Sequence, residues 1–201
     1  MSREIILDKF EEWSRAKGSK EARMEIFQQI RDIPYYLVPQ IDDPYDWAAS
    51  VLSNNRGSCS PKHYLLGLLF SRMGIAVKYV TYPFKWGAQP IKYPADLKEL
   101  ASASPIAYHV ACKAYINDKW VLVDATYDLP LREAGFPVTS YWNGDNDTIC
   151  AVLPLDEIIH DTLEARLDFV KSKKSLYSEQ DKAVYAQFIE KFNVWLSSLR
   201  R

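Results

Sequence analysis

Apolar residues recur at helical spacing near both ends of the chain. Ile6, Phe10 and Trp13 mark a stripe across residues 3–17, for which Gly18 is the expected stop. Met24, Phe27 and Ile30 mark a second stripe across 20–31. Such stripes belong to helices that cover a core. Between Ile33 and Pro44, three prolines and the run Tyr35-Tyr36-Leu37-Val38 predict an extended loop. Asp43-Pro44 then opens a helix through Trp47, Val51 and Leu52 that ends near Asn54-Asn55. The next apolar run is denser. Leu65, Leu66, Leu68, Leu69, Phe70 and Met73 leave almost no polar face, so this helix is expected to be buried on most sides, with Gly74 as its stop.

The period then changes. Residues 75–82 read as a strand, 83–105 as loop with a short helix near 95–101, and 106–116 with 119–126 as a β-hairpin. Asn117-Asp118 supplies the turn, because both residues tolerate left-handed backbone. The segment 139–147 is turn-rich and 148–153 is a short apolar run. Residues 155–171 and 178–200 read as closing helices, the last striped by Tyr185, Phe188, Ile189, Phe192 and Trp195. Neither repeat nor linker interrupts the pattern. A single α+β domain over 1–201 is expected, its core at about 34–130 and its helical extensions at 1–33 and 155–201.

Composition narrows the function classes. At 201 residues, with 48% hydrophobic and 25% charged, the chain can bury one substantial core. A formal net charge of -1 gives no electrostatic reason to expect nucleic acid or an anionic membrane as partner. No apolar run approaches a membrane span, and Met1-Ser2-Arg3-Glu4-Ile5 lacks the apolar core of a secretory leader. Three widely spaced cysteines, an odd number, do not read as a disulfide framework. A cytoplasmic protein is expected, with no cofactor.

One of those cysteines stands at a joint. Asn54-Asn55-Arg56-Gly57-Ser58-Cys59-Ser60-Pro61 is a polar loop running into the densely apolar helix. Gly57 permits a backbone angle or a close approach that a side chain would obstruct. Ser58 is a natural N-cap, and Pro61 falls in the first turn, where its missing N–H costs nothing. Cys59 therefore occupies the first helical position, at the positive end of the helix dipole, where a thiol loses its proton more readily.

The hairpin supplies the partners. If Ile116 pairs with Lys119, His109 faces Thr126 and Asp124 faces Ala111, so His109 and Asp124 share a face as diagonal neighbours. A one-residue slip would separate them. A carboxylate on one imidazole nitrogen fixes the tautomer and leaves the other nitrogen for a nucleophile. Cys59, His109 and Asp124 thus have the chemistry of a thiol-nucleophile set.

These segments carry a family resemblance. Gly57-x-Cys59, an apolar helix ending in Met73-Gly74-Ile75, a His near the start of a strand, and Lys119-Trp120-Val121-Leu122-Val123-Asp124 resemble the core of the transglutaminase-like superfamily over about residues 34–130. The resemblance implies a papain-like fold, with a cysteine-bearing helix packed on an antiparallel sheet. It implies Cys59 as nucleophile, His109 as general base and acid, and Asp124 as orienting carboxylate. The implied reaction is acyl transfer on a peptide or protein amide through a thioester, with hydrolysis expected over transamidation. The Cys59 N–H is one oxyanion donor; Trp47 or Gln40 could supply the second, and His63 could line the cleft or pack. The residues 83–105 are an insertion able to form one cleft wall.

Other signals rank lower. A zinc site from Cys59, His63, His109 and Cys112 is opposed by strand parity, which turns Cys112 away from His109. In the 143–147 segment, Thr148 and Pro154 stand where a calcium loop needs Gly and Glu, so no metal is expected. Cys150 reads as core and His160 as surface. The alternative to an enzyme is an inactive peptide-binding or scaffolding module, its groove lined by the aromatic residues of 35–47 and 82–86.

Overall fold

A computed structural model describes residues 2–200. Four helices come first: α1 Ser2–Ser14, α2 Ser19–Asp32, α3 Pro44–Asn54 and α4 Cys59–Arg72. Strand β1 is Val77–Phe84, followed by a 3-10 turn at Trp86–Ala88 and α5 at Ala95–Ala103. Strands β2 Ala107–Ile116 and β3 Lys119–Val123 form the hairpin. After a second 3-10 turn at Leu129–Ala134 come β4 Ile158–His160, α6 Leu163–Lys174 and α7 Glu179–Ser198. The sheet is antiparallel throughout, in the order β3-β2-β1-β4.

The hairpin has the expected register: Ile116 opposes Lys119 and Cys112 opposes Val123. Asn117 and Asp118 both take positive φ, 49° and 62°, which fits the turn to the right-handed twist of its strands. This register decides which residues share a face. Val110, Cys112 and Ala114 pack with Leu65, Leu66, Leu69 and Phe70 of α4, all four fully buried. Ala107 and Ala111 pack instead with Tyr82, Phe84 and Trp86 and with Phe188 and Phe192 of α7.

Helix α3 starts at Asp43, whose Oδ1 accepts the N–H groups of Tyr45 (2.8 Å) and Asp46 (2.9 Å). It ends at Asn55 in left-handed conformation. At Gly57 it is close approach, not backbone angle, that excludes a side chain: a Cβ would lie 2.9 Å from Val51 Cγ2. That approach lets Gly57 form a parallel bridge with Tyr35, which fixes the loop entering α4.

Four expectations need correction. Gly18 opens α2 as its N-cap residue and does not close α1, which ends where Ser14 Oγ bonds back to the Phe10 carbonyl and Ala16 turns left-handed. Ser58 holds the N-cap position of α4, yet its side chain makes no capping hydrogen bond. Residues 155–171 are not one helix. Ile158–His160 pair with Thr81–Tyr79 and cover an otherwise open edge of β1, and Thr162 then caps α6 by accepting the Ala165 N–H. The strand carries His160 inward, so it is buried and not on the surface, with Nε2 3.1 Å from Thr81 Oγ1.

Candidate active site

Cys59 is the first residue of α4, as its position between Ser58 and Pro61 predicts. Because Ser58 leaves the first turn uncapped, the amides there keep free donor capacity. Helix α4 is held against the rest of the site by Lys62, a fully buried cation. Its Nζ donates to the carbonyls of Arg31 (3.1 Å), Ile33 (2.8 Å) and Thr126 (2.7 Å). Burial drags its pKa down to about 7. Only the ammonium, however, has the three N–H bonds that these acceptors use.

His109 and Asp124 meet as the hairpin register requires. His109 Nε2 donates to Asp124 Oδ2 at 2.8 Å. Asp124 is buried and satisfied elsewhere as well. Oδ2 accepts the Ala151 N–H at 2.8 Å, while Oδ1 accepts the Thr126 hydroxyl at 2.6 Å and its N–H at 3.2 Å. Burial alone would raise this carboxyl's pKa. The imidazolium of His109, then His63 and Thr126, outweigh it and hold Asp124 well below the usual carboxylate range.

With Nε2 on Asp124, Nδ1 is the nitrogen left for the thiol, and Cys59 and His109 line the same cavity. Burial pushes the thiol pKa up, but the hydrogen bond and charge of His109, and then the charge of Arg166, bring it down to about 7. Burial likewise lowers His109, and the Asp124 carboxylate and the thiolate more than reverse this, taking it to about 10. Between these values the pair is thiolate and imidazolium.

The thiol opens on a cavity of about 230 Å³. Tyr35, Trp47, Phe84 and Trp86 line it, so the insertion at 83–105 does supply part of one wall. Gln40 stands exposed at its rim. Trp47 is buried with its indole N–H unpartnered among the described residues, which makes it available as a donor.

His63 does not line the cavity and is corrected to a packing role. It lies fully buried beneath the site, Nδ1 donating to the Cys59 carbonyl (2.8 Å) and Nε2 accepting the Ala125 N–H (3.0 Å). Burial pushes its pKa down to about 4, so it stays neutral and ties the start of α4 to the strand end beside Asp124.

The residues matched by the transglutaminase-like superfamily are 10–125, more than half of the chain, and they span Cys59, His109 and Asp124. The chain belongs to this superfamily. Its mixed architecture, a cysteine-bearing helix against an antiparallel sheet, is the α+β arrangement of that superfamily. Among solved structures, a candidate cysteine protease from Cytophaga hutchinsonii aligns with a TM-score of 0.45 at 17% identity. The alignment covers 78% of this chain and 42% of that one, so the chain spans under half the length of that protein. No curated protein matches the sequence.

Some of the cavity wall lies outside the superfamily core. Lys174 of α6, Tyr177 just after it, and Tyr185 and Ile189 of α7 line the cavity. The sequence gives no sign of this, because a stripe such as Tyr185-Phe188-Ile189-Phe192 reads the same whether it covers a core or a cleft. Helix α7 is held over the site by Asp128, which accepts Arg200 Nε (2.7 Å) and the Tyr35 N–H (2.8 Å). Asn193 adds a reciprocal pair of 2.9 Å bonds with the Leu37 backbone.

Proposed function

We propose that this superfamily member is a cysteine acyl-transfer enzyme that hydrolyses a peptide or protein amide. The observation that carries the reading is the position of His109, bonded through Nε2 to a buried carboxylate and lining one cavity with Cys59, whose thiol it helps draw down to about 7. The Cys59 thiolate attacks the carbonyl, and the Nδ1–H of His109 protonates the departing amine, leaving a thioester. Neutral His109 then takes a proton from water, whose oxygen attacks the thioester, and the returned proton restores the thiol–imidazole pair. The Cys59 N–H and the unpartnered indole N–H of Trp47 are the donors for the oxyanion.

Water is the acceptor in this reading because the cavity rim at Gln40 and Lys174 is exposed to solvent. The aromatic walls would also suit a module that only binds peptide. Such a module has no use for a thiol whose pKa is lowered by an imidazole. The test is to incubate the protein with a mixture of synthetic peptides and to count new termini by mass spectrometry. Cleavage lost in Cys59→Ser and in His109→Ala is expected. Turnover that survives Cys59→Ser would sink the proposal, and ligation of added glycinamide in place of cleavage would replace water by an amine.

A further inference from the structure

Nineteen side chains line the cavity at Cys59, and none is an Asp or a Glu. Apart from His109, the one ionisable cation among them is Lys174, at the end of α6. Lys174 stands exposed at the rim, and its ammonium has no hydrogen bond or ion pair among the described residues; the Cys59 thiolate is close enough to favour its charged form, against burial and the charge of Arg166. Beneath the wall lies a second cation, the buried guanidinium of Arg166. It bonds the Tyr64 hydroxyl and, at 3.4 Å, the Tyr108 carbonyl. Tyr108 is among the residues lining the cavity, while its ring packs edge-on against Phe169 of α6.

The charges do not cancel. Within the lining, the Cys59 thiolate balances the His109 imidazolium, and no acidic side chain stands beside Lys174. That leaves an ammonium at the rim without an acceptor among the described residues. A ligand carboxylate supplies the missing anion. The apolar and aromatic walls select against a merely hydrated ion and for an anion attached to an organic body. A lone ammonium, with no guanidinium fork exposed in the cavity, suits a carboxylate better than a phosphate.

Resting on the acyl-transfer reading of Cys59, we propose that the cleft selects acyl donors that carry a carboxylate, with Lys174 as the specificity-determining cation. Substrates of this class are peptides with an acidic side chain or a free terminal carboxylate near the scissile amide.

The test needs no known substrate. Iodoacetamide, iodoacetate and N-iodoacetylglycine alkylate a thiolate by the same step, forming the S–C bond as iodide leaves, and differ in whether and where a carboxylate rides along. Peptide mapping gives each rate at Cys59, and the readout is the ratio of each anionic reagent to iodoacetamide. The ratio is used because removing the ammonium also shifts the thiolate itself. The wild-type ratio for the better-placed carboxylate is expected to exceed that of Cys150 in the same unfolded chain. Lys174→Gln should lower it about fivefold, the effect of one unit charge close by in a solvent-exposed setting. Lys174→Glu should lower it further, Lys174→Arg should restore it, and added salt should erode the difference. Ratios unchanged in Lys174→Gln and Lys174→Glu would overturn the proposal. The underlying reading fails separately, through a Cys59 that reacts with iodoacetamide no faster at low pH than an ordinary thiol.

Discussion

Replacing His109 by Ala should switch off Cys59 near pH 6, and the size of the effect follows from the site. An ordinary thiol has a pKa of 9.0, and in the folded chain Cys59 is brought down to about 7. At pH 6 this raises the thiolate fraction from about 0.1% to about 9%, a gain of roughly 90-fold. A less basic thiolate is a weaker nucleophile, and with a Brønsted slope near 0.45 two units of pKa cost roughly eightfold. The net advantage of native Cys59 over an ordinary thiol is therefore about tenfold at pH 6. In His109→Ala the hydrogen bond and the positive charge are gone while burial remains, so the pKa moves above the ordinary value. The iodoacetamide rate at pH 6, followed by peptide mapping, should fall at least tenfold, by the same arithmetic. Cys150, which burial pushes up to about 12, and Cys112, pushed higher still, serve as silent controls. Equal rates in native protein and His109→Ala, with the fold intact by circular dichroism, would refute the thiol–imidazole pairing.

Turnover should follow a bell-shaped pH profile. It rises as Cys59 ionises through about 7 and falls as His109, the acid for the leaving group, loses its proton through about 10. Asp124→Asn should lower kcat by roughly 10²-fold or more, because the amide cannot support the imidazolium. It should also remove a stabilisation that exists in the native protein above the ordinary carboxylate value of 3.8 and is lost as pH falls through the lower folded value. Urea denaturation of the two proteins between pH 7 and pH 2 checks this: the gap should be widest at 7, start to shrink below pH 4 and keep shrinking towards pH 2. Lys62→Met leaves three buried carbonyls without a donor and should cost about 3–5 kcal/mol in the same assay. Arg166→Met withdraws a cation that bridges Tyr64 of α4 and Tyr108 of β2. It should move the Cys59 alkylation inflection to higher pH, with Arg166→Lys intermediate.

The elements whose signals were local could be read directly. The α4 start needs only a loop glycine, a cysteine and a first-turn proline within five positions, and the hairpin needs only alternation and a turn pair. Strand parity then carried His109 to Asp124 across fifteen residues without reference to the rest of the fold. Failures came where a distant segment set the outcome. Residues 158–160 have enough apolar character for either a helix or a strand, and the open edge of β1 decided for the strand. His63 stands four residues after Cys59, one helical turn along, which suits a cleft residue and a buried one equally; the Ala125 N–H decided for the interior.

The order of residues along the chain determined which side chains could perform chemistry and which pairs a hairpin would bring face to face, because both depend on periods of two and of 3.6 residues. Only the tertiary structure decided what surrounds them. The Ala151 amide on Asp124, the Arg166 guanidinium near the thiol, and the α6 and α7 residues in the cavity wall come from far along the chain. Their contacts are set by the packing of whole elements against one another, a quantity that no local pattern of residues contains.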